Sequence, residues 1–364
     1  MTFSLARRQL GTANRYLIGG GLCLLLGLST TAEQTLLFNK WLLGADSYRL
    51  EEHVSGTIRV QGYGGGEKDS TANLIRYWEE GFAKFHPNIR FENHLKGSAS
   101  ALAGLYTQTA EVAFLSREPL PVESDGFEEV FHYKPFAVEV AVISPDAPRA
   151  DFVPVVLVHR DNPISQLTLT QLDAIFGSEH RRGSTNIRTW DELGLQGEWK
   201  GKSIRVYGLD TRSQNSIRFF EQLVMSGSRK WNCTMREFLS VQNSDGARTD
   251  AGKRSAEAVA RDRFGIALSS LVYRTPSIKP LALAAHPGRP YFEPTTENVF
   301  LGKYPLTRAA SIFVKRAPGA PIDPKVKEFL RYILSSQGQG LVTQARGYLP
   351  LNEDVARQQL AVLE

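Results

Sequence analysis

The sequence predicts an α/β protein of two compact units, and three observations carry that prediction. β-branched runs, glycine-rich turns and amphipathic helices follow one another repeatedly, the order expected of strands and helices packed in layers. The chain has 364 residues, more than the usual single domain of about 100 to 200 residues. Its composition, 42% hydrophobic and 22% charged, is that of a globular protein and excludes collagen-like, disulfide-scaffold and wholly disordered chains.

Taken in order, Thr57 to Val60 reads as the first strand. The turn Gly62 to Gly66 follows, then a helix with Leu74, Tyr77, Trp78, Phe82 and Phe85 at helical spacing, ended by His86-Pro87. A strand at Ile89 to Glu92 leads through Gly97-Ser98-Ala99-Ser100 to a helix over Leu102 to Thr109 and a strand at Val112 to Leu115. The apolar runs Val138 to Ser144 and Val153 to Val158 flank a loop holding Pro145 and Pro148, where the chain is expected to cross between units. Thr170 opens a helix through Phe176, Ile204 to Tyr207 is a buried strand, and Ser213 to Ser216 caps a helix carrying Ile217, Phe220 and Val224. Ile266 to Leu268 and Ile312 to Val314 supply later strands, and Val326 to Ser335 is the last long helix. No repeat at a period of about 20 to 50 residues and no heptad array appears, which excludes solenoids and coiled coils.

Residues 1–32 read as a secretory signal peptide. Arg7, Arg8 and Arg15 form a cationic start, Leu17 to Leu28 an apolar run, and Thr30-Thr31-Ala32 a small-residue end. The apolar run falls short of the roughly 20 residues a spanning helix needs; an uncleaved anchor is the alternative. Cleavage removes three of the five net positive charges and Cys23, leaving Cys233 alone without an intrachain disulfide. Cys233 is expected to be a small buried apolar residue. Residues 33–55 are read as a linker. A nearly balanced surface lacks the basic stripe that nucleic-acid binding requires.

Several catalytic motifs fail on inspection. Gly201-Lys202-Ser203 lacks the upstream glycine of a phosphate-binding P-loop and precedes a strand where that loop needs a helix. Gly62-Tyr63-Gly64-Gly65-Gly66-Glu67 begins as a dinucleotide fingerprint, but Glu67 stands where close helix packing demands glycine. The seven histidines form no close pair and there is no Cys-x-x-Cys, so no metal site is expected. No Gly-x-Ser-x-Gly elbow is present. The reading is of a non-enzyme with no cofactor.

What survives is a set of three segments at helix starts: Gly62 to Gly66, Gly97 to Ser100, and Ser213-Gln214-Asn215-Ser216. A helix start carries about half a positive charge and four unbonded N–H groups, so several starts meeting at one point would hold a tetrahedral oxyanion without a metal. Ordinary caps and turns are the competing reading, and the residues alone leave both open.

Gly97-Ser98-Ala99-Ser100 with Ala110-Glu111-Val112 and Leu115-Ser116-Arg117 resembles the Gly-Ser, Ala-Asp-Ile, Ser-Arg run of the phosphate-binding proteins of ABC transporters. Asp161-Asn162-Pro163, Gln171 to Phe176, Trp190 to Gly194, Tyr304-Pro305-Leu306-Thr307-Arg308 and Gly347-Tyr348-Leu349-Pro350 follow in that family's order. The resemblance implies a type II periplasmic binding protein fold, with two lobes, each a mixed β-sheet flanked by helices, and a ligand cleft between them. It places lobe I at residues 56–137 plus 290–352, lobe II at 138–289, and a tail at 353–364.

The resemblance also implies the site. Ser98 and Ser100 match the family's first-lobe hydroxyls, and Gly64 and Gly65 its first glycine-rich loop. Glu111 falls where the family has an aspartate that accepts the proton of monohydrogen phosphate and so rejects sulfate; a solvated strand-end role is the other reading. Ser213 and Asn215 lie in the family's Ser-Gly-Thr segment, here Ser-Gln-Asn, and Arg212 is the substitute for an upstream arginine that is missing at Gly208 and Leu209. Arg117 reads as structural. The function expected from the resemblance is capture of inorganic phosphate or a similar oxyanion, by a periplasmic monomer, for an ABC permease in the inner membrane. A phosphate-ester hydrolase using the same cleft, or a scaffold that has lost high-affinity binding, is the alternative.

Overall fold

Alternation of side chains across a strand decides the first element: in β1 (Gly56–Gly62) Ile58 and Val60 point into the core while their neighbours stay half-exposed. The computed structural model describes residues 46–64, 69–147, 153–212, 215–244, 246 and 248–364. The expected signal peptide, residues 1–32, lies outside them. Residues Trp41–Glu364 form one compact unit.

The chain continues through α1 (Ser70–Ala83), β2 (Ile89–His94), α2 (Ala101–Tyr106), β3 (Val112–Leu115), α3 (Pro121–Phe131) and β4 (Phe136–Ile143). There follow β5 (Val155–His159), β6 (Gln166–Thr168), α4 (Leu169–Phe176), β7 (Arg205–Leu209), α5 (Asn215–Leu223), β8 (Arg236–Phe238), β9 (Val241–Gln242), β10 (Arg248–Thr249), α6 (Ala251–Val259), β11 (Gly265–Ser269), β12 (Ile278–Pro280) and β13 (Ala282–Ala284). The last elements are α7 (Thr296–Phe300), β14 (Ala309–Val314), α8 (Pro324–Leu334), α9 (Ser336–Val342), β15 (Tyr348–Leu349) and α10 (Glu353–Ala361).

Two mixed sheets organise these elements. One has the order β15-β4-β14-β3-β1-β2, with β1 parallel to β2 and β3 and with β14 antiparallel to both β3 and β4. The other has the order β12-β5-β11-β7-β8, with β7 parallel to β8 and β11. Val155 to Val158 are fully buried, as a strand covered on both faces must be.

Three boundaries differ from the sequence reading. β4, placed with lobe II by a boundary at residue 138, pairs with β14 and β15. The chain leaves the first sheet after Ile143 and joins the second at Val155. Residues 46–55 are not a free linker. The Tyr48 hydroxyl donates to Glu328 Oε2 at 2.5 Å and lies 2.6 Å from His86 Nε2, the Tyr48 amide donates to Gln337, and Val54 is buried. A buried carboxylate requires such donors, and Arg331 gives Glu328 a second one. The expected tail is helix α10, capped by the Asn352 side chain and packed through Ala356. Cys233, expected to be buried, is exposed.

Trp78 anchors the first sheet's helical layer. It is fully buried, packs against Phe114, and donates its indole N–H to the Gly338 carbonyl at 2.8 Å. Trp78→Ala should lower stability by about 3–5 kcal/mol through the cavity it leaves, read as a reduced urea midpoint with an unchanged slope.

Candidate functional site

Ligands of open α/β sheets bind beyond the carboxyl ends of the parallel strands, so the position of each candidate relative to those ends decides its role. In the first sheet Gly62 ends β1, and its carbonyl accepts from the Gly97 amide at 3.0 Å, which brings the Gly97–Ser100 turn to that edge. Gly97 has φ +143°, a conformation that favours glycine. Its turn sets Ser98 into the structure: the residue is 9% exposed, and its hydroxyl is buried with no hydrogen-bond partner among the described residues. The Ser100 hydroxyl instead donates to the Gly97 carbonyl at 2.8 Å and is committed to the turn. Gly64 passes so close to Leu95 that an added Cβ would lie 2.7 Å from the leucine Cβ. Gly65 and Ser213 lie outside the described residues, as does the side chain of Asn215, whose backbone opens α5.

The structure moves two candidates away from this edge. Glu111 precedes β3 at its amino end, five residues and so about 16 Å along the strand from Ser116. There it accepts from the Arg59 amide at 2.8 Å and pairs with the Arg59 guanidinium at 2.6 Å. Burial pushes the Glu111 carboxyl up, but its Arg59 hydrogen bonds and charge outweigh burial and hold it below the ordinary glutamate value. Arg212 sits on the surface: its side chain is 77% exposed and its Nε donates to Asp210 Oδ1 at 3.2 Å. Asp210, buried at the end of β7, captures both the Arg212 amide and the guanidinium, a local closure that turns the arginine outward.

One of the three helix starts is also occupied from within. Asp69 caps α1, its Oδ1 accepting from the Thr71 amide at 2.8 Å and the Ala72 amide at 3.3 Å. A carboxylate already answers that dipole.

The fold adds three residues to the candidates: Ser116 and Arg308, which the sequence offered only as family landmarks, and Ser216 of the third helix-start segment. Ser116, directly after β3, is fully buried with a hydroxyl that has no hydrogen-bond partner among the described residues, and so is Ser216 in the first turn of α5. Arg308 is 2% exposed and lies just before β14. Because β14 runs antiparallel to β3, with Ser311 opposite Leu115, Arg308 falls at the carboxyl edge of β3. Its guanidinium lies 5.6 Å from the centre of the Phe219 ring. Phe219 and Ser216 are three residues apart on α5 and share a face, so Arg308 from the first sheet reaches the surface of the second that carries Ser216. The signal was present in Ser116-Arg117 and Tyr304–Arg308, but only strand register shows which side of the sheet these residues occupy. Arg117 forms a two-pronged pair with Glu123 at 2.7 and 2.6 Å and anchors the start of α3.

Among the described residues no group of three or more His, Cys, Asp or Glu could hold a metal ion. The arrangement of buried hydroxyl donors with one guanidinium suits an oxyanion. The Arg59–Glu111 pair should act on stability alone. With its folded pKa depressed, its contribution is present above the ordinary value of 4.5 and is lost as pH falls through the folded value. Glu111→Gln should therefore cost about 0.5 kcal/mol at pH 7, a small figure because the pair is partly solvent-screened. The difference from wild type should vanish in acid denaturation series.

Residues 52–337 match the PBP superfamily domain. The chain is 33% identical over 317 residues to the phosphate-binding protein PstS of Pseudomonas aeruginosa, covering 87% of this chain and 90% of that one. Among solved structures, PstS from Borrelia burgdorferi superposes with a TM-score of 0.54 at 15% identity, over 82% of this chain and all of that one. An ABC-type phosphate transport receptor from Vibrio cholerae does so with a TM-score of 0.50 at 19% identity, over 80% and 99%. The last two likenesses speak to the fold, a two-lobed one, and the first to descent: this chain belongs to the PBP superfamily, in the family of the phosphate-binding protein PstS.

Proposed function

We propose that this chain captures inorganic phosphate, or a close oxyanion, between its two lobes and delivers it to an ABC-type importer. The observation that carries the reading is the placement of buried hydroxyls of Ser98, Ser116 and Ser216, together with the Arg308 guanidinium, at the carboxyl edges of both sheets. The likeness to PstS along nearly the whole chain supports the same ligand.

In this reading Arg308 takes the part that the sequence assigned to Arg212. A guanidinium stays charged at any accessible pH and offers paired N–H donors to two oxygens of one anion. The three serines complete the tetrahedron as donors, and the start of α5 adds its dipole. Gly64 allows the first loop to approach closely. Ser213 and Asn215 remain proposed contacts, since they flank the same helix start. Glu111 lies too far away to accept the phosphate proton, so rejection of sulfate falls to another group; Asp210 is a carboxylate buried on the correct edge.

Export through an N-terminal signal peptide and action as a periplasmic monomer complete the proposal. Among the described residues no helix is long and apolar enough to cross a membrane. Mass spectrometry of the exported protein should find a mature chain beginning near residue 33.

Calorimetry with phosphate, arsenate, sulfate and molybdate tests the ligand. Saturable heat with phosphate is expected, and no heat with any of the four would overturn the reading. Ser98→Ala should weaken binding by about 1–3 kcal/mol, and Arg308→Ala by about tenfold to a hundredfold. Arg212→Ala and Glu111→Gln should leave affinity within about twofold, as expected for groups outside the contact shell.

A further inference from the structure

The second sheet carries a cavity of about 430 Å³ where α6 runs out toward the edge strand β8. Four arginines line it: Arg205 of β7, Arg236 of β8, Arg254 of α6 and Arg261 just beyond α6. Arg205 is committed to Asp262 through two hydrogen bonds, and the Tyr207 hydroxyl donates to the same carboxylate at 2.7 Å. Among the described residues no carboxylate forms an ion pair with Arg236, Arg254 or Arg261, and Glu257 is the one further acidic residue on the lining. The cavity therefore keeps three guanidinium groups against a single carboxylate.

Two of those cations, Arg236 and Arg254, are held in place by groups other than acids. The guanidinium carbons of Arg236 and Arg254 lie 5.1 and 5.5 Å from the centre of the Phe238 ring. Both sit over one aromatic ring, so they stay within about 11 Å of each other. Arg254 is pinned further by a 2.8 Å hydrogen bond to the Leu239 carbonyl. Holding like charges together without counter-charges is unfavourable in the empty protein and is relieved by an anion. The cavity lies on the face of β7 and β8 that α6 covers, reaching from Arg205 at the amino end of β7 to Phe238 beside Leu209, whereas the proposed phosphate site uses the loops beyond the carboxyl ends.

We propose that this cavity binds a linear oligophosphate. Arg254 on α6 and Arg261 just beyond it are seven residues apart, about 10 Å between backbones at helical rise, so guanidinium groups carried on successive turns line one cavity and suit a chain of linked phosphates better than a single tetrahedral ion. A nucleobase is disfavoured because the Phe238 ring is already stacked by two cations. Planar guanidinium forks suit phosphate oxygens that bear charge in succession.

The test is calorimetric titration of tripolyphosphate into the full chain held in saturating orthophosphate, which keeps the cleft between the lobes filled. Saturable binding that weakens as salt is raised is expected. The Arg236→Ala/Arg254→Ala pair should weaken it at least about tenfold, and Arg261→Ala should weaken it in the same direction. Unchanged thermal midpoints would show that these changes leave the fold intact. Arg308→Ala should leave tripolyphosphate binding unaltered even where orthophosphate binding is lost, so failure of one site is distinguishable from failure of the other. No heat, heat abolished by orthophosphate alone, or binding indifferent to the arginine changes would overturn the proposal. ATP binding far more tightly than tripolyphosphate would overturn it too, by showing that a ring and not the phosphate chain is recognised.

Discussion

Burial of polar groups where the two sheets meet is the constraint on which the rest of this structure depends. An unpartnered hydroxyl in the interior is unfavourable, and among the described residues Ser98, Ser116 and Ser216 carry such hydroxyls. Others, such as Ser255 inside α6, lie elsewhere, but these three follow the carboxyl ends of parallel strands, the place where an α/β fold stops satisfying its own backbone and turns its loops toward a ligand. Arg308 joins them because β14 is inserted antiparallel beside β3, which puts the residue before β14 level with the residues after β3. The contact of Arg308 with Phe219 then ties the first sheet to the helix that opens the site in the second.

Local pairing draws several charged groups away from the carboxyl edges or fixes them there. Arg59 claims Glu111, Asp210 claims Arg212, Glu123 claims Arg117, and Asp69 claims the start of α1. Each pair is short-range in sequence or lies across adjacent strands, so it forms whatever the ligand does. The buried hydroxyls of Ser98, Ser116 and Ser216 and the Arg308 guanidinium at the carboxyl edges are groups that can donate. That bias toward donors is what an acceptor-rich oxyanion requires.

The same logic accounts for the N-terminal segment of the folded body. Glu328 is buried on α8, and burial of a carboxylate is tolerated only with donors close at hand. Tyr48 and Arg331 provide them, and the contact fastens residues 46–55 to α8 and α9. Burial in turn raises the Tyr48 hydroxyl's pKa well above the ordinary tyrosine value, with the hydrogen bond to Glu328 acting in the same direction. Burial likewise lowers the pKa of the neighbouring His86 imidazole.

Much of the secondary structure was legible in the sequence, because hydrophobic periodicity and turn chemistry are local properties. The apolar run Val112 to Leu115 coincides with β3, and apolar spacing marks α1 and α5 as helices. The family too was legible, since its landmarks recur in order along one dimension. The site was legible only in part. Gly97 and Ser98 announced themselves by composition, whereas Glu111 and Arg212 had plausible positions in the sequence and were drawn elsewhere by Arg59 and Asp210. Ser216 stood in the third helix-start segment and Ser116 and Arg308 among the family landmarks, but their place in the candidate site could not be assigned from the sequence, because which end of a strand a residue occupies depends on register and direction between strands almost two hundred residues apart. Periodicity and order along the chain therefore determined the elements and the kinship, while the pairing of β14 with β3 and the approach of Arg308 to α5 belong to the tertiary structure, because strand pairing and long-range burial act between residues whose separation in sequence carries no information about their separation in space.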